Sequence, residues 1–144
     1  MATPTRIRIS RREAFNAAHQ LWDPARSDDE NRRLFGKCVN LHGHNYAVEV
    51  VVRGDVDPAT GYLIDLKRLS DLIGREVIAD VDHRNLNEDV DFLRGIIPTA
   101  ENLARAFWQQ LAPAIDQGSL YEIALQETEK NSVVYRGEDE ATSS

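Results

Sequence analysis

The segment 44–53, HNYAVEVVVR, constrains the fold more than any other part of the sequence. Its even positions share one side of an extended chain and are mostly apolar, whereas the odd positions include Asn45, Glu49 and Arg53. The even positions are His44, Tyr46, Val48, Val50 and Val52. This alternation predicts a β-strand with one buried and one solvent-facing side. The rest of the chain must therefore supply further strands and a layer that covers the apolar face.

Three other segments predict strands. Residues 6–17 place Ile7, Ile9, Phe15 and Ala17 on like parity. Segments 120–128 and 132–136 are short and rich in β-forming residues, and a turn at Lys130 and Asn131 joins them. We expect the first two strands of the chain to pair antiparallel. The connection between that pair, residues 20–41, is long, and long connections are often functional.

Two segments have the periodicity of amphipathic helices. The first follows Asp65, a plausible cap, and the second follows Pro98, where Thr99 can cap and Glu101 suits the positive end of the helix. Gly118 ends the second helix. Their apolar stripes are Leu66, Leu69, Leu72, Ile73 and Val77, and Leu103, Phe107, Trp108, Leu111 and Ile115.

The order strand, strand, helix, helix, strand, strand predicts an α+β fold, with a four-stranded antiparallel sheet and two helices packed on one face. At 144 residues the chain fits one domain, residues 1–144, with tails at 1–5 and 137–144. A four-stranded sheet has two open edges, which a protein must protect or use in assembly. We therefore expect an oligomer.

The charge pattern argues against two classes of partner. The formal net charge is −7, with 24 acidic and 17 basic residues, so the whole molecule repels nucleic acid. The chain has neither a long apolar run nor a leader, which predicts no membrane association and a cytoplasmic location. Residues 1–40 nevertheless hold eight basic residues against five acidic ones. This basic end could meet a small phosphorylated ligand, although a solvated strand face is the simpler interpretation.

Three of the four histidines can converge on a metal ion. His42 and His44 are separated by Gly43 at the start of a strand, so both imidazoles project to one side. His19 ends the first predicted strand, and antiparallel pairing brings it near them. A three-histidine site leaves a coordination position open and is typical of catalytic zinc, Zn2+, although imidazole also suits iron, copper and nickel. The single cysteine, Cys38, could instead close the site as a fourth ligand.

Seven segments in order carry a resemblance to one enzyme family. They are FNAAH (15–19), GKCVNLHGHNY (36–46), DPATG (57–61), DHRNLN (82–87), PTAENLA (98–104), QETEKN (126–131) and VVYRGE (133–138). Together they resemble the 6-pyruvoyltetrahydropterin synthase and 6-carboxytetrahydropterin synthase family. The resemblance implies a T-fold, in which trimers close a barrel of strands and two trimers stack into a homo-hexamer. It also implies a pterin substrate, 7,8-dihydroneopterin triphosphate, whose side-chain hydroxyls bind zinc.

The resemblance assigns roles to residues outside the histidine trio. Cys38 matches the catalytic base, which acts as a thiolate, and Asp82 with His83 matches the proton-handling pair. Glu127 matches the carboxylate that accepts two hydrogen bonds from the pterin edge. Two further residues of the matched segments are candidates for pterin binding, although capping and helix-dipole effects explain them as well. They are Thr99 and Glu101.

The matched segments leave the exact reaction open. Only three residues separate Cys38 from His42, as in bacterial 6-carboxytetrahydropterin synthases, and this spacing favours that lyase, which releases triphosphate and acetaldehyde and feeds queuosine synthesis. The alternative is 6-pyruvoyltetrahydropterin synthase, to which DPATG and VVYRGE are closer. A non-enzymatic zinc or pterin binding module is a third possibility. Gln20 departs from the family's usual basic residue, which leaves four candidates for phosphate contact: Arg11, Arg12, Lys37 and Arg84.

Overall fold

A computed structural model describes residues 6–138 of the protein. One five-stranded sheet, in the order β3-β1-β2-β4-β5, forms its centre. The strands are β1 (Arg6–His19), β2 (His42–Asp55), β3 (Arg84–Asn85), β4 (Ser119–Gln126) and β5 (Ser132–Tyr135). The helices are α1 (Asp28–Phe35), α2 (Leu66–Ile73), α3 (Ala79–Val81) and α4 (Ala100–Leu111). The predicted α+β class is confirmed.

The long ribbon of β1 and β2 determines where the histidines lie. The two strands pair antiparallel over 14 residues each, from Arg6 opposite Asp55 to His19 opposite His42. Because the pairing runs to the last residue of β1, that histidine and the first residue of β2 are direct neighbours. The predicted antiparallel pairing is therefore confirmed, and it extends two residues further towards the histidines than the sequence pattern indicates.

The core lies on the face of the sheet predicted to be apolar. Val48, Val50 and Val52 of β2 are fully buried, and Ile7 and Ile9 of β1 pack against the same cluster. Leucines and aromatic side chains from α2 and α4 fill the space above them. Layered burial of this kind supplies most of the stability of a small domain.

Both predicted N-terminal helix caps are present, but the second helix ends at Leu111 and a 3-10 turn, Ala112–Ala114, follows it, so the predicted end at Gly118 is wrong. The side chain of Asp65 accepts a hydrogen bond from the backbone N–H of Lys67, and that of Thr99 accepts one from Asn102. After α2 the chain makes a π-helical turn, Gly74–Ile78, before α3. The first predicted helix thus continues past its apolar stripe as far as Val81.

The structure adds a strand and a helix to the predicted fold. The two-residue β3 pairs in parallel with β1, so the sheet has five strands rather than four. Helix α1 lies in the 20–41 connection, where Ser27 and Glu30 form a reciprocal capping box. The helix is too polar to show an apolar stripe, because its sequence is DDENRRLF.

A bulge in β4 corrects one predicted orientation. A regular alternation along residues 120–128 would place Tyr121 on the apolar face with Ile123 and Leu125. In the structure the register with β2 shifts between Val51 and Val52, and Tyr121 lies at that irregularity. Its ring contacts arginines of the opposite face instead. A β-bulge re-aims a side chain in this way because an extra residue breaks the period of two.

The ends of the chain are described only in part. Residues 1–5 and 139–144, which belong to the predicted tails, lie outside the described range. Gly137 is described, and its backbone packs so closely on Trp108 that an added Cβ would lie 2.5 Å from the indole ring. No helix within residues 6–138 has the length and apolar character needed to cross a bilayer.

Candidate metal centre and active site

His19, His42 and His44 converge at one end of the β1–β2 ribbon. One ring nitrogen from each histidine lies within 4.8 Å of the other two. The ring centroids are 4.7 to 5.1 Å apart, and each pair of rings is steeply inclined. His19 is buried, with 2% of its surface exposed, while His42 and His44 are partly exposed. The predicted convergence of the three imidazoles is therefore present.

Backbone carbonyl groups orient two of the rings. His19 Nδ1 lies 2.7 Å from the carbonyl oxygen of Pro98, and His42 Nδ1 lies 2.7 Å from that of Asn40. A carbonyl oxygen only accepts, so each Nδ1 carries the proton and donates. Nε2 of each neutral ring then keeps a free lone pair. This arrangement is typical of metal-ligating histidines.

The buried nitrogen of His19 tests whether a cation fits this site. Within residues 6–138, His19 Nε2 is the only buried side-chain nitrogen or oxygen that lacks a hydrogen-bond partner. Burying such a lone pair without a partner is unfavourable. A metal ion bound by Nε2 would satisfy it. The donor set is three neutral imidazoles, which zinc accepts readily.

The local environment keeps two of the histidines neutral. Burial lowers the pKa of His19 and of His44, because desolvation penalises the charged imidazolium. Neighbouring histidines lower both values further. Neutral imidazoles at physiological pH have their lone pairs available for a cation.

Glu127 brings a carboxylate to the same place. It directly follows β4, and its Oε2 lies 3.8 Å from His19 Nε2 and 3.9 Å from His44 Nε2. One negative charge therefore faces the point where the ring nitrogens converge, which raises the affinity of the site for a cation. The carboxylate that the resemblance assigns to the pterin edge therefore lies beside the histidine trio.

A backbone hydrogen bond connects Cys38 to the segment that follows His19. Cys38 occupies the 3-10 turn Gly36–Val39, and its carbonyl accepts a hydrogen bond of 2.7 Å from the N–H of Leu21. That contact ties the turn to the chain just after His19. The thiol is half-buried. Cys38 does not belong to the group of mutually close metal-ligating atoms in the described residues, so the structure does not support it as a fourth ligand.

Asp82 and His83 form a separate pair beside β1. Asp82 Oδ1 accepts a hydrogen bond of 2.9 Å from the backbone N–H of Asn16 and lies 3.0 Å from His83 Nδ1. The Asn16 N–H is the main reason why the pKa of Asp82 is lowered. His83 adopts a left-handed backbone conformation, with φ of 62°, and its ring is exposed. The predicted carboxylate–imidazole pair is thus formed, but it lies outside the histidine trio.

The remaining candidates differ in their surroundings. Thr99 uses its hydroxyl as a helix cap one residue after the carbonyl that orients His19, and Glu101 is exposed in the first turn of α4. Arg11 pairs with Glu13 at 2.6 Å. The side chain of Arg12 donates to Gln126.

Tyr46 is a neighbour of the site that could be predicted from the sequence only as a core residue. Its hydroxyl lies 3.4 Å from His19 Nδ1, and its ring stacks on Phe15. Burial raises the pKa of Tyr46, so the phenol stays neutral. The role of the Pro98 carbonyl in orienting His19 could not be predicted from the sequence either, because every residue has a carbonyl group.

Comparison with known proteins places this arrangement in a family. The family model described as 6-pyruvoyl tetrahydropterin synthase matches residues 8–138. The solved structure of 6-pyruvoyl tetrahydropterin synthase from Caenorhabditis elegans matches with a TM-score of 0.89 and 38% identity, covering 95% of this chain and 99% of that one. The fold is therefore a T-fold. The chain belongs to the 6-pyruvoyl tetrahydropterin synthase family.

Two curated relatives bear on the reaction. The chain is 42% identical over 130 residues to 6-pyruvoyl tetrahydrobiopterin synthase of Dictyostelium discoideum, covering 90% of this chain and 96% of the relative. It is 33% identical over 99 residues to dihydroneopterin monophosphate aldolase of Pyrococcus furiosus, covering 69% of each. The first name supports the 6-pyruvoyl alternative better than the 6-carboxy interpretation that the Cys38–His42 spacing favours.

Proposed function

We propose that this chain is a zinc-dependent lyase that converts 7,8-dihydroneopterin triphosphate to 6-pyruvoyltetrahydropterin and triphosphate. The C–O bond to the triphosphate breaks, all three side-chain carbons are retained, and the side chain is oxidised as the pterin ring is reduced. No external reductant is needed. The family membership and the relative from Dictyostelium discoideum support this choice of reaction.

The convergence of three imidazoles and a carboxylate carries the proposal. His19, His42 and His44 would hold the zinc ion, and the two carbonyl contacts keep His19 and His42 in the tautomer that the ion requires. When bound, the ion would supply Lewis acidity that polarises the hydroxyl groups of the substrate side chain. A non-enzymatic zinc or pterin binding module would need none of Cys38, Asp82 and His83.

Proton transfer is assigned to Cys38 and to the pair of Asp82 and His83. As a thiolate, Cys38 would accept the side-chain proton that becomes acidic next to the polarised hydroxyl. Asp82 holds the ring of His83 through Nδ1, which leaves Nε2 free to exchange a proton with the substrate or with water. The exposed position of His83 makes that nitrogen accessible.

Glu127 is assigned to recognition of the pterin. Its carboxylate is partly exposed at the edge of the histidine trio, and an ionised carboxylate can accept both the amino group and the ring N–H of a pterin. Thr99 and Glu101 would line the same side through the N-terminus of α4. The position of Thr99 beside Pro98 supports this assignment.

The product of a single incubation tests the proposal. The purified chain is incubated with zinc and 7,8-dihydroneopterin triphosphate, and the pterin product is identified by mass. We expect 6-pyruvoyltetrahydropterin together with an equal amount of triphosphate. A His42→Ala variant, treated identically, controls for uncatalysed decay. Recovery of unchanged substrate with the zinc-loaded wild-type chain would refute the lyase assignment.

One observation favours a second reaction in the same class. Only three residues separate Cys38 from His42, the spacing that also fits the 6-carboxy branch. In that case the product would be 6-carboxy-5,6,7,8-tetrahydropterin and acetaldehyde would be released. The same incubation separates the two reactions, because the products differ by two carbons and only one yields acetaldehyde.

A further inference from the structure

The segment 82–87 lies along the edge of β1 that faces away from β2. The carboxylate of Asp82 accepts a hydrogen bond of 2.9 Å from the N–H of Asn16. The N–H of Leu86 donates one of 2.8 Å to the carbonyl of Ala18. Every second residue of β1 is thus held by this segment. The next contact in the series is expected two residues further on, just after the strand ends.

The side chain of Asn87 supplies that contact. Its Oδ1 accepts a hydrogen bond of 2.8 Å from the N–H of Gln20, and its Nδ2 donates one of 2.9 Å to the carbonyl of Gln20. One planar amide therefore satisfies both backbone polar groups of a residue that lies beyond the end of β1. We call this pair of hydrogen bonds the Asn87 clamp.

Gln20 connects two parts of the candidate active site. The residue before it is His19, whose buried Nε2 lacks a hydrogen-bond partner within residues 6–138. The residue after it is Leu21, whose N–H donates to the carbonyl of Cys38 at 2.7 Å. The Asn87 clamp thus holds the single residue between the buried histidine and the point where the turn with the thiol is attached.

A second asparagine holds the same connection further from the histidines. Asn31 of α1 accepts a hydrogen bond of 2.8 Å from the N–H of Asp23 and donates one of 3.0 Å to its carbonyl. Asn31 is fully buried, whereas Asn87 is exposed. An exposed side chain contributes little to the packing of the core, so its removal leaves the fold intact. The role of Asn87 can therefore be measured on the folded chain.

We propose that Asn87 is a positioning residue of the candidate metal centre, which acts through the backbone of Gln20 on the ring of His19. His19 and His42 form the last pair of the β1–β2 ladder, and the end of a ladder frays most readily. By holding the next residue, the Asn87 clamp keeps this pair closed. Metal–ligand distances vary by only about 0.2 Å, so a strand end that moves weakens the site. The same restraint holds the chain to which the Cys38 turn is bonded.

The zinc affinity of the full chain, measured by competition with a chromogenic chelator, tests the proposal. We expect Asn87→Ala to bind zinc about tenfold more weakly than the wild type, which is the usual loss when a group that orients a metal ligand is removed. Asn87→Asp keeps the acceptor for the Gln20 N–H but loses the donor, so its affinity should lie between the two. Equal affinity of Asn87→Ala and the wild type would overturn the proposal, as would a wild-type chain that binds no zinc.

Asp65→Ala is the control for a general loss of stability. It also removes a side-chain acceptor from an exposed backbone N–H, that of Lys67, but at the start of α2. In urea, the metal-free Asp65→Ala chain should unfold at least as early as metal-free Asn87→Ala, and yet it should keep the zinc affinity of the wild type. If both variants lose zinc affinity in proportion to stability, Asn87 acts on the fold as a whole and the proposal is wrong.

Cobalt substitution reports the geometry of the site independently of its affinity. The visible absorption bands of bound cobalt depend on the number and arrangement of its ligands. At saturating cobalt, we expect the bands of Asn87→Ala to differ in intensity from those of the wild type, while Asp65→Ala gives the wild-type spectrum. An unchanged spectrum of Asn87→Ala would show that the His19 ring keeps its position without the Asn87 clamp, which contradicts the proposal.

The effect on Cys38 rests on the proposed lyase reaction and is tested by kinetics at saturating zinc. Asn87→Ala should have a lowered kcat and a KM close to that of the wild type, because the turn with the thiol is less firmly held while Glu127 is unchanged. A wild-type kcat would refute this part of the proposal. If the wild type has no lyase activity but Asn87→Ala still loses zinc affinity, the proposed function is wrong and the positioning of His19 by Asn87 is supported.

Discussion

At the scale of single residues, backbone carbonyl groups and a buried lone pair prepare the histidine trio for a cation. The carbonyls of Pro98 and Asn40 fix the tautomers of His19 and His42 before any ligand binds. His19 Nε2 is buried without a hydrogen-bond partner in the described chain. Preorganisation of this kind lowers the free-energy cost of binding a cation, because the imidazole rings need little reorientation.

Replacement of Cys38 by alanine tests whether a thiolate is the base. Loss of a positioned base lowers turnover by about 10²- to 10⁴-fold. We expect Cys38→Ala to lose kcat to that extent while zinc content and pterin binding stay at wild-type levels, since the thiol is not among the converging metal-ligating atoms and recognition of the pterin ring is assigned to Glu127. Steady-state kinetics and a pterin fluorescence titration measure both properties. Wild-type turnover in Cys38→Ala would exclude the thiolate as the base and assign the proton transfer to another group.

The lowered pKa of Asp82 predicts how the free energy of unfolding changes as the pH falls. The Asn16 N–H stabilises the ionised carboxylate in the folded chain. The resulting stability is fully present above the unfolded pKa, about 3.9, and is lost as the pH falls through the lower folded value. Urea unfolding from pH 6 to pH 3 should therefore show a shallower decline for Asp82→Asn than for the wild type. Asp80→Asn, on the adjacent turn α3, is the matched control. Parallel curves for Asp82→Asn and wild type would contradict the assignment.

The convergence of the histidine trio could be predicted from the sequence because its pattern follows from strand geometry. Because one residue separates them, the side chains of His42 and His44 project from the same side of β2. The antiparallel register with β1 places His19 next to them. The groups that orient the rings were not predictable in this way. Pro98 acts through its carbonyl, which carries no sequence signature, and reaches His19 from 79 positions along the chain.

At the scale of elements, the N-terminus of α4 links the helix layer to the histidine trio. Thr99 caps the helix and directly follows the carbonyl that holds His19. We expect Thr99→Ala to lower the free energy of unfolding by about 1 kcal/mol, the usual effect of losing a cap. Thr99→Ser should retain most of the stability, since its hydroxyl can accept the same hydrogen bond.

Urea unfolding measures the effect of the cap, and a zinc titration measures its consequence for His19. If Thr99→Ala displaces the N-terminus of α4, zinc binding should also weaken, because the Pro98 carbonyl that orients His19 would move with the helix. If Thr99→Ala unfolds like the wild type but has a raised KM for the pterin, Thr99 acts through substrate contact instead.

The elements that the sequence did not predict are those without periodicity. Two residues are too few to alternate, so β3 leaves no pattern. Hydrogen bonds on either side hold it against β1: Asp82 and His83 bind the backbone of Asn16, and the N–H of Leu86 donates to the carbonyl of Ala18. Helix α1 is almost entirely polar and is stabilised by its capping box. The bulge at Tyr121 breaks the rule of alternation itself. Long strands and apolar helix stripes were predicted because burial imposes a period on them.

At the scale of the whole molecule, the sheet leaves β3 and β5 as its two edges. Val134 of β5 is an apolar side chain with 57% of its surface exposed. Edges of this kind pair with further strands unless they are protected. The family resemblance implies a hexamer, so we expect light scattering to give a mass about six times the 16.3 kDa of one chain. A mass of one chain at micromolar concentration would contradict this expectation.

The metal content of the purified chain tests the central claim most directly. After dialysis against metal-free buffer, elemental analysis by mass spectrometry should find about one zinc ion per chain in the wild type. His42→Ala, prepared in parallel, should retain less than a tenth of that amount because two imidazoles bind zinc far more weakly than three. A wild-type chain that binds no stoichiometric divalent cation, even after incubation with zinc, would contradict the account.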